Sequence, residues 1–319
     1  MQFTTKIPIS KFQNPINYNS KIMTLGSCFA VNISDKFQYY KFQITTNPFG
    51  ILFHPLAIEK LIDFAVSEKQ FAEKDIFFHN ERWHCFDAHS DVSNSNKEDL
   101  IANLNEIVTS LQLQLQTASH IIITYGTSWV YRNIATQEIV ANCHKVPQVA
   151  FSKEILSVEN IKKSMQNTLD LIQKINPKVN FIFTVSPVRH LKDGFVENQL
   201  SKAHLITAIH QILQSEICNL QSAIYFPSNE IMMDELRDYR FYAEDMIHPN
   251  SVAIDYIWQR FSETAISEES HSIMKEVETI QKGLAHRPFN SNSESHQQFL
   301  SKLHDKMVKL QKQFPQIQF

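Results

Sequence analysis

Five short apolar runs, at residues 22–25, 42–46, 120–125, 180–185 and 223–226, punctuate this chain, and stretches of helical periodicity fill most of the sequence between them. That alternation constrains the fold more than any other feature. Parallel strands need a crossover between them, and the usual crossover is a helix packed on the sheet. The expected architecture is therefore a three-layer α/β/α fold around a five-stranded parallel sheet. Helices are expected over residues 29–40, 56–71, 97–117, 158–175, 195–218 and 230–237. Another should follow Pro249, which suits a first helical turn because its missing N–H has no partner there anyway.

Two hairpins are expected as insertions, residues 76–78 with 83–86 and residues 129–134 with 138–141. Beyond residue 265 the composition turns to Ser/Glu/Lys/Gln-rich helical segments, over 273–284 and 298–313. Residues 1–264 thus read as the main α/β domain and residues 265–319 as a C-terminal helical extension packed on it, since a segment of about 50 residues buries too little core to stand alone. Leu300, Leu303, Met307 and Leu310 recur at heptad-like spacing, which suits either a dimer contact or core packing.

A net charge of −3 over 319 residues gives no footprint for nucleic acid or an anionic membrane surface. No apolar run is long enough to span a membrane, and the first residues lack the apolar core of a signal peptide, so a cytoplasmic protein is expected. The four cysteines are far apart and form no Cys-x-x-Cys pair, which fits reduced thiols. His79, His84, Cys85, Asp87 and His89 cluster in sequence without a metal-ligand spacing, and on a strand His84 and Cys85 point to opposite faces. No metal and no cofactor are expected.

In open α/β sheets ligands gather at the carboxyl ends of the strands. The chain has only five glycines, and Gly26, Gly50 and Gly126 each sit at or just beyond an apolar run. Polar clusters fall at the same ends: Ser27; Gly126 and Ser128, with Asn142 and His144 returned beside them by the second hairpin; Arg189 and His190; Asp245 and His248. Ser27 begins a helix and so reads as an N-cap or as an exposed nucleophile. Asp245 and His248, three residues apart, supply a carboxylate to orient an imidazole and an imidazole to take the serine proton. Cys28 is the rival nucleophile, with packing as its simpler role. Arg189 suits either an anionic substrate group or an ion pair with a helix-borne acid. His89, His144 and His190 lie on segments expected to face the site, where His144 and His190 suit either wall or substrate contacts or a satisfied structural role.

These residues resemble a known family. Gly26-Ser-Cys-Phe-Ala30 spells the signature of the GSCFA family, placed within the SGNH (GDSL-type) hydrolase superfamily, and further segments agree in order: Asn47-Pro-Phe-Gly50, Gly126-Thr-Ser-Trp-Val-Tyr131, Asn142-Cys-His-Lys145, Thr184-Val-Ser-Pro-Val-Arg-His190, Asp234-Glu-Leu-Arg-Asp-Tyr-Arg-Phe-Tyr242 and Asp245-Met-Ile-His-Pro249. The resemblance implies Ser27 as nucleophile, although the superfamily's usual Gly-Asp-Ser has no Asp counterpart before Ser27. It implies Asp245 and His248 as the rest of a triad. The amides of Ser27 and Gly50 become oxyanion donors. Where the superfamily's third block has Gly-x-Asn-Asp, this chain has Gly126-Thr127-Ser128-Trp129, so Ser128, or Asn142 from the hairpin, is expected to replace the oxyanion asparagine. The implied activity is a serine esterase removing an O-acyl group from a carbohydrate or other polar small molecule. An acyltransferase with the same triad, or a hydrolase-fold binding protein without catalysis, are the alternatives.

Overall fold

Helical crossovers between the apolar runs produce the expected parallel sheet. The computed structural model describes residues 5–215 and 222–319. The chain runs β1 (Lys21–Gly26), α1 (Cys28–Tyr39), β2 (Gln43–Thr46), α2 (Pro55–Val66), the hairpin β3 (Phe77–His79) and β4 (Arg82–His84), α3 (Lys97–Thr117) and β5 (His120–Tyr125). Next come β6 (Trp129–Asn133), β7 (Ile139–Val140), β8 (Phe151–Ile155), α4 (Val158–Ile175), β9 (Asn180–Val185), α5 (Phe195–Leu213) and β10 (Ala223–Tyr225). The short α6 (Ser228–Glu230) runs into a π-helical turn, Ile231–Leu236, and α7 (Ser251–Ala265), α8 (Glu268–Ala285) and α9 (Glu294–Gln313) close the chain.

The five-stranded sheet has the order β10-β9-β5-β1-β2, and all its pairs are parallel. Gly26 of β1 lies opposite Thr124 of β5, and Tyr125 opposite Val185 of β9, so three strands end nearly level. Strand alternation divides the core in two. Leu25, Ile121, Ile123 and Phe183 pack against α2, α3, α4 and α5 through Leu61, Leu104, Leu169 and Ile209. Ile22, Ile122 and Ile182 face the other way, against α1, α7 and the C-terminal helices.

The C-terminal helices share that second core: Val277, Ile280, Leu303 and Leu310 are buried in one cluster with Phe37 and Phe261. Leu303 and Leu310 therefore serve core packing, and Tyr18 joins Phe42 at 4.3 Å and Phe314 at 5.4 Å between ring centroids.

Four local expectations change. The helix expected over 56–71 stops at Val66, because Ser67 caps it and Glu68 takes φ +54. Pro249 lies outside α7, whose N-cap is Asn250, with its Oδ1 accepting the Ala253 N–H at 3.0 Å. The second hairpin gains a third strand: β8 pairs antiparallel with β6, making a small sheet β7-β6-β8. α5 ends at Leu213 with Gln214 as its C-cap, short of the expected Cys218, and residues 216–218 of that expectation lie outside the described residues. Among the described residues no helix is long and apolar enough to cross a membrane, and no His/Cys/Asp/Glu group is placed to hold a metal ion.

Candidate active site

The chain leaves β1 toward β2 on one side and later returns to β5 on the other, which opens a crevice at the carboxyl ends of β1 and β5. Gly26 ends β1 at φ +127, and a Cβ there would collide with the Thr124 carbonyl oxygen. The Gly26 N–H donates to Asn47 Oδ1 at 2.8 Å. Only glycine accommodates both the positive φ and the neighbouring strand.

Ser27 follows as the N-cap of α1, with φ −70 and ψ 174, and its side chain makes no capping bond. It is 0% exposed, and its hydroxyl is buried without a hydrogen-bond partner. The exposed hydroxyl expected at this turn is thus turned inward. Its Cβ and the His190 Nε2 both lie 3.2 Å from where a Gly126 Cβ would stand, so Gly126 is the residue that leaves room for them.

The next side chain takes the outward place. Cys28, the first residue of α1, lines a cavity of about 760 Å³ that is also lined by Asn142, His190 and His248. Burial raises the Cys28 pKa above its ordinary value, and Asp245 adds to that rise. The Lys202 ammonium and the backbone N–H groups of Cys28 and Phe29 at the open end of α1 pull the other way without reversing it. The thiol is therefore protonated at neutral pH and needs a base to become a nucleophile.

An imidazole is held where the sequence places it. The His248 Nδ1–H donates to Asp245 Oδ2 at 2.6 Å, which leaves Nε2 as the free basic nitrogen. Asp245 Oδ1 accepts the backbone N–H of Ile247 at 2.8 Å and of His248 at 3.0 Å. The His248 N–H first, and then its ring, hold the Asp245 carboxyl at about 2, so it stays charged. His248 makes no hydrogen bond to Ser27, whose hydroxyl is unpartnered.

Beneath the cavity lies a residue that sequence reasoning missed. Lys202, on α5, is 3% exposed and donates from Nζ to the carbonyls of Gly126 and Ser186, both at 2.7 Å. One ammonium thereby joins the residues that follow β5 and β9. Burial pulls its pKa down to about 7. The same charge lies close enough to His190 to add to the burial that lowers that ring to about 3, with His248 contributing further. His190 lines the cavity as a neutral imidazole. A lysine at helical spacing reads from sequence as a solvent-facing side chain, and nothing local signals otherwise.

Over residues 21–261 the sequence matches the GSCFA family. The chain belongs to that family. Residues 277–319 match the C-terminal domain of GSCFA domain proteins, covering the second half of α8 and all of α9. Among curated proteins none matches the sequence.

Within this GSCFA fold the expected oxyanion donors are redistributed. The Ser27 N–H continues the sheet ladder to the Thr124 carbonyl at 3.0 Å, and the Gly50 N–H closes a turn on the Asn47 carbonyl at 2.7 Å. Ser128 is fully buried and faces α5: its N–H reaches Ser201 Oγ at 2.7 Å and its hydroxyl the Ser201 carbonyl at 3.3 Å. None of the three is aimed at the cavity. Asn142 is better placed. Its Oδ1 accepts the His144 N–H at 2.8 Å, which fixes the amide and leaves its NH₂ end as the free donor on the cavity wall.

His144 and His89 hold structural positions. His144 is buried between Cys85, whose carbonyl is 2.7 Å from its Nε2, and Ser90, 3.1 Å from its Nδ1; burial lowers its pKa to about 4. His89 caps the turn Ser90–Val92 and fills the space a Gly50 side chain would need. Arg189 does line the cavity, and its guanidinium lies over the ring of Tyr242 at 4.0 Å instead of on a helix-borne acid. His54, which sequence reasoning passed over, lines the same cavity; its Nδ1 caps α2 and its Nε2 lies 3.1 Å from the Val140 carbonyl.

Proposed function

We propose that this GSCFA protein is an SGNH-like acyl-transfer enzyme that cleaves an ester of a polar small molecule, with Cys28 as nucleophile, His248 as base and Asp245 orienting it. One observation carries this reading: Cys28 and His248 line one cavity, while the Ser27 hydroxyl is closed off from it. It also removes the missing aspartate. If Gly26-Ser27-Cys28 corresponds to the superfamily's Gly-Asp-Ser, the nucleophile position falls on Cys28, and Ser27 takes the place of the aspartate.

In the reaction, His248 Nε2 takes the Cys28 proton as Sγ bonds to the ester carbonyl carbon. The tetrahedral oxyanion is met by the amides at the start of α1 and by the Asn142 NH₂. As the C–O bond breaks, the leaving alkoxide takes the proton from His248. Water, deprotonated by His248, then releases the acid from the Cys28 thioester; an alcohol in its place gives transfer. No step needs a metal or an organic cofactor.

The test is a chromogenic acetate ester with mass analysis of the acylated chain. An acetyl group on the Cys28 peptide, removed by neutral hydroxylamine as a thioester is, is expected in wild type and in Ser27→Ala and absent in Cys28→Ala. An adduct that resists hydroxylamine and disappears in Ser27→Ala would return the role to the serine. No turnover and no adduct in wild type, with this ester and a panel of others, would favour a binding protein.

A further inference from the structure

The cavity wall has a charge pattern that ester cleavage does not require. Arg189, Lys145 and Lys192 all line it, and none meets a carboxylate among the described residues. The lining carboxylate Asp193 is neutralised by Lys153 at 2.5 Å. Lys153 itself sits over the Trp129 ring at 4.7 Å, which holds that pair at the aromatic side of the cavity. Asp245 is committed to His248. The wall therefore carries cations without a fixed counter-charge.

Arg189 is also held in place. Its guanidinium carbon lies over the Tyr242 ring at 4.0 Å and the Tyr239 ring at 5.0 Å, and its backbone N–H donates to the Ile247 carbonyl at 3.2 Å, one residue from His248. These cation–π contacts satisfy no guanidinium N–H with an oxygen acceptor, which leaves the fork that grips a carboxylate or phosphate with two parallel bonds. The base and this fork are thus fixed to one another through the same loop.

We propose that the cavity takes an anionic substrate, whose carboxylate or phosphate is gripped by Arg189 with support from Lys145 and Lys192. The remainder of the substrate lies on the aromatic wall of Phe53, Trp129, Tyr131 and Phe151. This substrate class rests on the acyl-transfer reading of the same cavity, but anion binding itself needs no chemistry, so the two can fail separately.

The experiment is calorimetric titration of inorganic phosphate, and separately of succinate, into Cys28→Ala and into Cys28→Ala carrying Arg189→Gln, Arg189→Lys or the pair Lys145→Gln/Lys192→Gln. At least one anion is expected to bind with one-to-one stoichiometry. Affinity should fall ten- to a hundredfold in Arg189→Gln and less in Arg189→Lys, which keeps the charge and loses the fork. Phosphate binding alone would assign a phosphorylated substrate, and succinate binding alone a carboxylate. Failure of both anions to bind, or equal affinity with and without Arg189, overturns the proposal. If Arg189→Gln does not fold, the double lysine variant decides: a several-fold loss there supports the site, and unchanged affinity overturns it.

Discussion

Replacing Lys202 by methionine should change how stability depends on pH, and the size of the change follows from its burial. The lysine's pKa falls from 10.5 in the unfolded chain to about 7 in the fold. Between those values the unfolded chain holds the proton and the folded chain does not, so folding releases it and stability climbs as pH rises. The gain is complete above the unfolded value and is lost as pH falls through about 7. The slope approaches about 1.4 kcal/mol per pH unit, so from pH 6 to 8.5 wild type should gain about 2 kcal/mol on the methionine variant. Methionine also leaves the Gly126 and Ser186 carbonyls without their donor, a penalty of about 1–3 kcal/mol for each, but that penalty does not vary with pH. Thiols and histidines that do not feel the Lys202 charge titrate alike in both chains and cancel in the difference, while Cys28 and His190, which do feel it, are held away from this pH range by burial. Urea unfolding of both proteins across that range measures it. Curves that stay parallel to within about 0.5 kcal/mol would show that Lys202 keeps its proton throughout, and would refute the burial argument.

Two further outcomes follow from the turn and the His248 loop. Gly26→Ala should lose at least about 2 kcal/mol in urea unfolding, because φ +127 and the Thr124 carbonyl both exclude a methyl group. Asp245→Asn should leave the unfolding midpoint nearly unchanged yet lower turnover about 10²–10⁴-fold, since the amide no longer fixes the imidazole tautomer. Because Asp245 remains ionised down to about 2, loss of wild-type activity on mild acidification must come from another group, and a rate profile recorded from pH 4 to 9 checks this.

The strands and helices that carry strong periodicity were legible to the residue: His120–Tyr125, Asn180–Val185, Lys97–Thr117 and Val158–Ile175 stand where the pattern puts them. β8 was not, since Phe-Ser-Lys-Glu-Ile is half polar and becomes a strand only because β6 lies beside it. In the site, Asp245 and His248 were readable because their relation is local to one turn. Which of Ser27 and Cys28 faces the cavity was not. Adjacent residues at a helix start point in directions roughly 100° apart, and the strand ends decide which one is buried. Lys202 was invisible for a similar reason: its burial depends on two carbonyls, Gly126 and Ser186, that only the assembled sheet brings together. Gly50 and Ser128 sat at the expected places in the chain, but their donors are spent on neighbours that no spacing reveals.

The small β7-β6-β8 sheet has one more implication. The Leu156 N–H donates to the Ser128 carbonyl at 2.9 Å, so the chain departs after Ser128 and comes back to within one hydrogen bond of the same point. The excursion between them supplies Trp129, Tyr131, Asn142 and Phe151 to the cavity, while Cys28 and His248 come from elsewhere in the chain. Three aromatic residues of the cavity wall and the Asn142 amide are thus carried on one excursion, apart from the loops that carry Cys28, Arg189 and His248. An excursion of different length that kept the Leu156–Ser128 closure would reshape the cavity wall while leaving β5 and β9 paired as they are, and would carry the Asn142 amide with it.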